Sequence, residues 1–212
     1  MDARQDDQGV KITLRGVRHC FTYLYEQHVS KTNGGKSFRD TFLIVPGSDA
    51  DKQIRAAISQ AAKNAWGDKA QLMVKAFAAD RTKFPYRDGS LPDSAGNVSA
   101  DLEKFWTLTA INKVQPSLWD ENNQDIAGMS KNGAKLYPGA VVTAIVRIWP
   151  QTQRDRAGIR CELQGVRHDR DADRIGGGGR RASVDEFGPP PGNPDKDADL
   201  IGGNPDSDDI PF

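Results

Sequence analysis

The sequence has few residues of the kinds that build disulfide scaffolds or metal sites. Its two cysteines, Cys20 and Cys161, lie far apart and form no CxxC pair, which argues against a disulfide framework and against a zinc knuckle. The three histidines, His19, His28 and His168, lack metal-ligand spacing with each other or with the cysteines. We therefore expect each cysteine to pack as a small apolar residue, and we expect no metal ion and no cofactor.

Long apolar segments and catalytic motifs are also missing. No stretch approaches the roughly 18 apolar residues that a membrane helix needs, and the N-terminus is polar and acidic. There is no Walker loop, no HxE motif with a CxxC pair and no GxSxG motif. Gly176 to Gly179 precede arginines rather than a helix, so they form no phosphate cradle. We expect a non-enzymatic protein of the cytoplasm, or of the host cell cytoplasm if phage-encoded, with no membrane or small-molecule partner.

Apolar residues are plentiful up to about Val166, whereas Gly, Pro, Asp and Arg dominate the rest of the chain. Only the first part can bury enough apolar surface to offset the entropy of folding. We predict one folded domain over residues 10–175 with a flexible N-terminal segment, 1–9, before it. A Gly- and Pro-rich linker over 176–202 and a disordered acidic tail over 203–212 follow.

The net charge of zero hides a separation of the two signs along the chain. From Asp185 onward there are eight acidic residues and one base, Lys196, which gives 1 − 8 = −7. The whole chain has 29 residues of each sign, so residues 1–184 carry 28 bases and 21 acids, or +7. A basic body joined to an acidic tail indicates a domain that binds a polyanion and a tail that binds proteins.

Apolar periodicity predicts strands in most of the body. Alternation from Val10 to Tyr25, interrupted at Gly16, indicates a long strand with a bend, and residues 37–45 form its hairpin partner. Ser48 as N-cap and Gly67 as C-cap bound one helix. Further strands are expected in this order: 71–77 (short), 104–114, 140–149 and 158–166.

This order of elements is mainly β. It predicts a barrel of five or six strands in Greek-key order, resembling the OB-fold, with one helix and long loops. OB-folds bind nucleic acids on one strand face and its flanking loops.

The last residues are the most specific motif. Bacterial single-stranded DNA-binding proteins end in a similar acidic-Ile-Pro-Phe pattern after a Gly- and Pro-rich linker, and the chain resembles them there. In this interpretation the Phe212 ring binds in a pocket of a partner protein, and its α-carboxylate pairs with a basic group on the pocket floor. The acidic residues of the tail contact a basic rim around that pocket. The residues predicted to bind partners are Asp206, Asp208, Asp209, Ile210, Pro211 and Phe212.

The body resembles instead the replication single-stranded DNA-binding proteins of tailed bacteriophages, a family long described as a domain of unknown function. The resemblance runs from about Val17 to Gly179. It rests on the order of five segments: Leu43-Ile44-Val45-Pro46, Tyr86-Arg87-Asp88-Gly89, Trp106-Thr107-Leu108-Thr109-Ala110, Leu136-Tyr137-Pro138-Gly139, and 158–164 with the following Gly run. The resemblance implies an OB-fold and sequence-tolerant binding of single strands.

Binding single strands without reading their sequence requires aromatic faces for the bases and cations for the phosphates. The residues predicted to contact DNA are Lys83, Tyr86, Arg87, Lys104, Trp106, Lys113, Arg147 and Trp149. Arg147 and Trp149 alternate onto one face of their strand. Two interpretations of the loop 83–87 stay open, a clamp over a base and a loop pinned by its aromatics.

The other aromatic residues favour structural roles. A core position is favoured over stacking for Trp106, because tryptophans in strands usually pack. The stripe Phe21, Tyr23 and Tyr25 is also expected to fill the barrel rather than line a groove, and Trp66 lies on the apolar face of the helix.

The leading hypothesis is a non-enzymatic coat for single-stranded DNA in replication, recombination and repair. Its acidic tail would recruit a polymerase, helicase, primase or nuclease. A strand-annealing recombination protein is the alternative. A nuclease that uses the tail only for recruitment is less favoured, because the paired carboxylates Asp171 and Asp173 lie in a solvated run of charges.

Overall fold

The computed structural model describes residues 9–30, 34–91, 96, 98–129 and 135–175. The predicted linker and acidic tail lie outside these residues, as does the N-terminal segment up to residue 8. The strands are β1 (Val10–Val29), β2 (Lys36–Ile44), β3 (Tyr86–Asp88), β4 (Trp106–Asn112), β5 (Ser117–Trp119), β6 (Val141–Gln151) and β7 (Gly158–Arg170). The helices are α1 (Asp49–Trp66) and α2 (Ala70–Ala78), with short 3-10 turns at Gly67–Lys69 and Arg154–Arg156.

Five of the strands close into a barrel. β1 pairs antiparallel with both β2 and β6, β2 pairs with β4, and β6 pairs with β7. A parallel pairing of β4 with β7, at Ile111 and Glu162, completes the ring. The two short strands lie outside it, β3 along β4 and β5 along β7. This closed five-stranded barrel confirms the predicted OB-fold class.

The bend predicted in the first strand is present. The register between β1 and β6 shifts between Leu14 and Val17, and Gly16 has a φ of 63°. Glycine adopts this left-handed conformation without the clash that a Cβ would cause. The extra residue lets β1 curve enough to pair with β2 and β6 along the length of the barrel.

Helix α1 forms as its caps predict. The Ser48 hydroxyl accepts a hydrogen bond from the Asp51 amide at 3.3 Å, and Gly67 ends the helix with a φ of 53°. Its apolar face, which includes Ile54, Ile58 and Ala61, is buried against β1 and β6 and is part of the main core. The helix therefore anchors the barrel's interior.

The strand predicted over residues 71–77 is wrong, because these residues form α2. Met73, Val74 and Phe77 lie at i, i+1 and i+4, a spacing that also fits one face of a helix, and the segment is rich in helix-forming residues. Phe77 packs against Trp66, with ring centroids 5.4 Å apart. This contact fixes α2 against the end of α1.

A buried polar pair lies in the barrel interior. His19 on β1 and Asp40 on β2 are both fully buried, and Nδ1 of the imidazole lies 2.7 Å from Oδ2 of the carboxyl. Burial raises the pKa of Asp40 above its ordinary value, and the contact with His19 opposes that effect only in part. Cys20 and Cys161 are buried too, and burial raises the pKa of both thiols. The prediction that the cysteines pack as small apolar residues is confirmed.

Candidate nucleic-acid interface

A cleft of about 600 Å³ lies on the outer face of β2 and β4. Its floor includes Thr41, Thr107 and Thr109, and the hydroxyls of Thr41 and Thr109 lie 3.2 Å apart. Residues 81–91 and 98–102 contribute its walls, and β7 borders it at Arg160. We call this site the arginine cleft, after the residues that line it: Arg39, Arg81, Arg87 and Arg160.

Three of these arginines have no side-chain partner among the described residues. Within the part of the chain that the structure describes, the side chains of Arg39, Arg81 and Arg87 form no hydrogen bond or ion pair, and Nε of Arg39 is buried without an acceptor. Burial and the neighbouring charge of Arg81 lower the pKa of Arg87. Unpaired, partly desolvated cations are costly, and an anion with several acceptor oxygens would satisfy them.

Arg160 is held in place by the backbone. Its guanidinium donates to the carbonyl oxygens of Thr82 at 2.9 Å and Arg156 at 3.0 Å. Burial lowers the pKa of Arg160, and the nearby Asp80 carboxylate opposes this. The carboxylate that lines the cleft, Asp88, is engaged by the amide and hydroxyl of Ser90. The cleft is therefore positive, with one of its cations fixed in orientation.

Three aromatic side chains line the cleft beside these cations; Phe84 is buried, whereas Trp149 and Phe21 are not. Trp149 lies at the end of β6 opposite Arg160. Phe21 lies in the bulge of β1, and 51% of its surface is exposed. The predicted core position of Phe21 is therefore wrong, because the bulge between Cys20 and Tyr23 turns its ring outward. Exposed rings next to cations are what base stacking and phosphate contact require.

The predicted DNA contacts Tyr86 and Trp106 lie on the opposite face of the sheet. Tyr86 is 2% exposed and donates a hydrogen bond from its hydroxyl to Asp51 at 2.8 Å. The Arg55 guanidinium lies 4.5 Å from the Trp106 ring centroid, and Trp106 packs against the core. Tyr86 as a residue that stacks on a base is contradicted by its burial. These positions agree with a pinned loop and with the favoured core role of Trp106.

The remaining predicted contacts divide between the cleft and other surfaces. Arg87 and Trp149 line the cleft. Lys83 borders it: its ammonium lies 3.4 Å from the Asp80 carboxylate, and its carbonyl accepts a hydrogen bond from the Ile159 amide. Three lie outside the lining: Lys104 in an exposed turn, Lys113 just beyond β4, and Arg147, whose guanidinium is 3.4 Å from Glu162. Arg147 does share the less buried face of β6 with Trp149, as alternation predicts.

Sequence reasoning missed Phe21, Arg39, Arg81 and Arg160. Alternation offered a signal for one of them, because Arg160 lies between the buried apolar residues Ile159 and Cys161. Arg39 gave no such signal, since its buried neighbour Asp40 is polar. Arg81 lies on a connecting turn, where periodicity carries no information. Phe21 gave no signal, since its orientation depends on the bulge.

The Asp51 carboxylate links α1 to β3 by accepting a hydrogen bond from the hydroxyl of Tyr86, the residue before Arg87. Burial alone would raise its pKa, but hydrogen bonds from the Gly47 amide, the Tyr86 hydroxyl and Arg55 outweigh burial, so the pKa lies below its ordinary value of 3.8. A carboxyl with a lowered folded-state pKa stabilises the fold above its unfolded-state pKa. That contribution is lost as the pH falls through the folded-state pKa.

We therefore expect Asp51→Asn to lower the free energy of unfolding at pH 7 by about 1 to 3 kcal/mol and to flatten its decline as the pH falls below about 4. Urea unfolding of both proteins across this range measures the effect. Asp49→Asn is the matched control, since Asp49 lies on the same helical turn with its side chain 93% exposed. Identical pH dependence of Asp51→Asn and the unmodified protein would contradict the assignment.

The barrel and the position of the cleft define the class of protein. In OB-fold proteins the outer face of the second and third barrel strands, here β2 and β4, is the face that binds oligonucleotides or oligosaccharides. The family model of the Enterobacter phage Enc34 single-stranded DNA-binding protein matches residues 10–201. The chain belongs to this family of phage single-stranded DNA-binding proteins, which are binding proteins and not enzymes.

Solved structures agree in fold. The bacteriophage Enc34 single-stranded DNA-binding protein in complex with ssDNA matches with a TM-score of 0.59 and 17% identity, over 78% of this chain and 89% of that one. The same phage protein described without ssDNA matches with a TM-score of 0.56 and 17% identity, over 84% of this chain and 89% of that one. No curated protein matches the chain in sequence.

The described residues contain neither a cluster of metal ligands nor a membrane-spanning helix. No group of three or more His, Cys, Asp or Glu side chains among them is arranged to hold a metal ion. None of the helices found there is both long and apolar enough to cross a bilayer.

Proposed function

We propose that the protein coats single-stranded DNA without sequence specificity and that the arginine cleft is its binding site. The observation that supports this most directly is the set of three arginines that have no partner in the described part of the chain and lie beside the exposed ring of Phe21. Phosphates would satisfy the guanidinium groups, and bases would stack on the aromatic faces. Membership of the family and the fold shared with the Enc34 protein support the same proposal.

The chemistry of the cleft favours tolerance of sequence. Its cations are suited to the phosphate backbone, which is the same for every nucleotide, and aromatic faces stack on any base. The floor presents threonine hydroxyls, which both donate and accept and therefore discriminate weakly between bases. Affinity should accordingly depend more on salt than on sequence.

We further propose that the acidic tail recruits proteins of replication, recombination and repair in the host cell cytoplasm. The sequence supports this through the terminal Asp208-Asp209-Ile210-Pro211-Phe212 motif and the charge of −7 from Asp185 onward. An aromatic anchor with flanking carboxylates suits a basic-rimmed pocket on a polymerase, helicase, primase or nuclease. Contacts of this kind are salt-sensitive and exchangeable.

Gel shifts of the full chain on oligo-dT, duplex DNA and RNA at two salt concentrations test the binding proposal. We expect strong binding to oligo-dT, weaker binding to duplex DNA and a steep loss of affinity with salt. Absence of oligo-dT binding at low salt would overturn the proposal. A parallel incubation of oligo-dT with magnesium tests for a nuclease, and degradation would show that the protein is an enzyme after all.

The tail should also compete with DNA for the basic body, because −7 faces +7 within one molecule. Deleting residues 204–212 is expected to tighten oligo-dT binding at low salt and to abolish partner binding. The competition should disappear at high salt, where charges are screened. Fluorescence anisotropy at both salt concentrations measures the affinities.

A matched variant separates the two roles of the tail. Phe212→Ala retains all tail carboxylates, so it should bind oligo-dT like the full chain and yet fail to bind partners. Equal oligo-dT affinity for the full chain and the deletion at low salt would contradict the competition.

A further inference from the structure

Phe21 has an unusual backbone conformation for its residue type. Its φ is 51°, in the left-handed region that residues with a Cβ adopt only at a cost in free energy. The ring is 51% exposed, so burial offsets little of that cost. A strained, exposed aromatic residue at the edge of a binding cleft indicates a role outside folding.

The bulge that contains Phe21 directs its ring toward the cleft. Cys20 lies opposite Thr41 and Tyr23 opposite Arg39, so an extra residue is accommodated between the two pairs. Thr41 and Arg39 both line the cleft, and so does Phe21. The ring therefore lies beside a cation that has no partner among the described side chains.

Two more aromatic rings continue from this point along the hairpin of β1 and β2. Tyr23 lies opposite Arg39 and His28 opposite Ser37, and directly opposed residues of an antiparallel pair share one face of the sheet. Arg39 and Ser37 are two residues apart on β2, so they too lie on one face. The rings of Tyr23 and His28 meet edge to face, with centroids 4.8 Å apart.

The neighbouring strand adds apolar surface and a cation. Ile111 on β4 lies opposite Arg39 and is 46% exposed. Gln27, on the same hairpin as His28, donates a hydrogen bond to the carbonyl of Lys113 at 3.2 Å. This bond places the exposed Lys113 beside the hairpin. The face therefore combines rings and cations beyond the cleft itself.

We propose that Phe21, Tyr23 and His28 form a base-stacking track that carries unpaired nucleotides from the arginine cleft along the β1–β2 hairpin. This proposal rests on the proposed function of the cleft and extends it. Bases stack on the three rings, about one base per ring, while Arg39 and Lys113 contact phosphates. The strained backbone of Phe21 is retained because it presents the first ring of the track.

Phe21→Asn tests the role of the first ring separately from folding. Asparagine tolerates the left-handed conformation better than phenylalanine, so the melting temperature should stay the same or rise. Oligo-dT affinity should fall about 5- to 140-fold, the loss expected for one stacked base. Trp119→Asn is the matched control, since Trp119 is an aromatic residue 39% exposed on β5, outside the cleft. Unchanged affinity of Phe21→Asn would overturn the role of Phe21.

The length of the oligonucleotide tests the rest of the track. Tyr23→Ala and His28→Ala should weaken binding of oligo-dT of about 16 nucleotides several-fold and should weaken binding of about 4 nucleotides, the shortest site of an OB-fold, much less. An oligo-dT containing 2-aminopurine should show fluorescence quenching that depends on Tyr23. Equal losses at both lengths, or no loss at either, would contradict the track.

These results separate the track from the function of the cleft. If the unmodified protein binds oligo-dT at both lengths while the ring variants behave like it, the proposed function stands and the track is wrong. If the unmodified protein binds neither length, the proposed function itself fails.

Discussion

Replacing Arg81 and Arg87 together by glutamate should lower the affinity for oligo-dT on the order of 100-fold at low salt. Each arginine lines the cleft without a partner in the described part of the chain, so each is available to a phosphate. Losing two charge-assisted contacts costs about 3 kcal/mol or more, and the new carboxylates add repulsion. The dependence of log affinity on log salt should become shallower by about 1.4, because two fewer phosphates of a single strand are neutralised.

Folding should tolerate this double replacement. Arg81 is one cause of the lowered pKa of Arg87, so the two cations repel each other in the folded protein. Their removal breaks no ion pair within the described residues, and the melting temperature should not fall. Lys52→Glu serves as the charge-reversal control, because Lys52 is on α1 with its side chain 73% exposed. An equal loss of affinity in the control, or no loss in the double variant, would show that the cleft is not the binding site.

Asp40→Ala should destabilise the fold by about 3 to 5 kcal/mol, the cost of removing one partner of a buried polar pair. The carboxyl shares a hydrogen bond with Nδ1 of His19 and accepts one from the Thr41 amide, and His19 and Asp40 are fully buried. In the variant neither nitrogen of His19 retains a partner among the residues that the structure describes, since Nε2 already lacks one there. At about 2 to 4 °C per kcal/mol, the melting temperature should fall by about 6 to 20 °C.

A second variant distinguishes the polar interaction between His19 and Asp40 from the packing volume of their side chains. Replacing both residues, as His19→Phe with Asp40→Leu, removes the polar groups and retains most of the volume, so much of the lost stability should return. Urea unfolding of both variants measures the difference. If the double variant were less stable than Asp40→Ala, the polar pair would be stabilising in itself. Asp40 lies between Arg39 and Thr41, so the single variant should also perturb the floor of the cleft.

Local sequence patterns predicted those parts of the fold that depend on interactions between neighbouring residues. The Gly16 bend, the Ser48 and Gly67 caps and the alternation of β6 each depend on neighbouring residues, and each is present in the structure. The strand prediction for residues 71–77 was wrong because their short apolar run fits both the two-residue period of a strand and the 3.6-residue period of a helix. Its helical form is fixed by the packing of Phe77 on Trp66.

The site was less predictable than the fold because its residues converge from distant segments. Arg81 and Arg160 both line the cleft because a hydrogen bond from the Ile159 amide to the carbonyl of Lys83 joins their segments. No local sequence pattern encodes that bond. Tyr86 and Arg87 are adjacent in sequence but lie on opposite faces of β3, so a motif that includes both could not say which one faces the cleft. The position of Phe21 in the cleft could be predicted only if the bulge between Cys20 and Tyr23 were known.

Closing the barrel with strands that are distant in sequence determines when the protein can first act. Val10 pairs with Ile148, and β4 meets β7 at Glu162, so the ring cannot close until nearly the whole domain has left the ribosome. Until then the β1–β2 hairpin has no β6 beside it, and the cleft lacks both Trp149 and Arg160. The cleft is therefore incomplete in the nascent chain, and we expect oligo-dT binding at the proposed site to follow closure of the barrel.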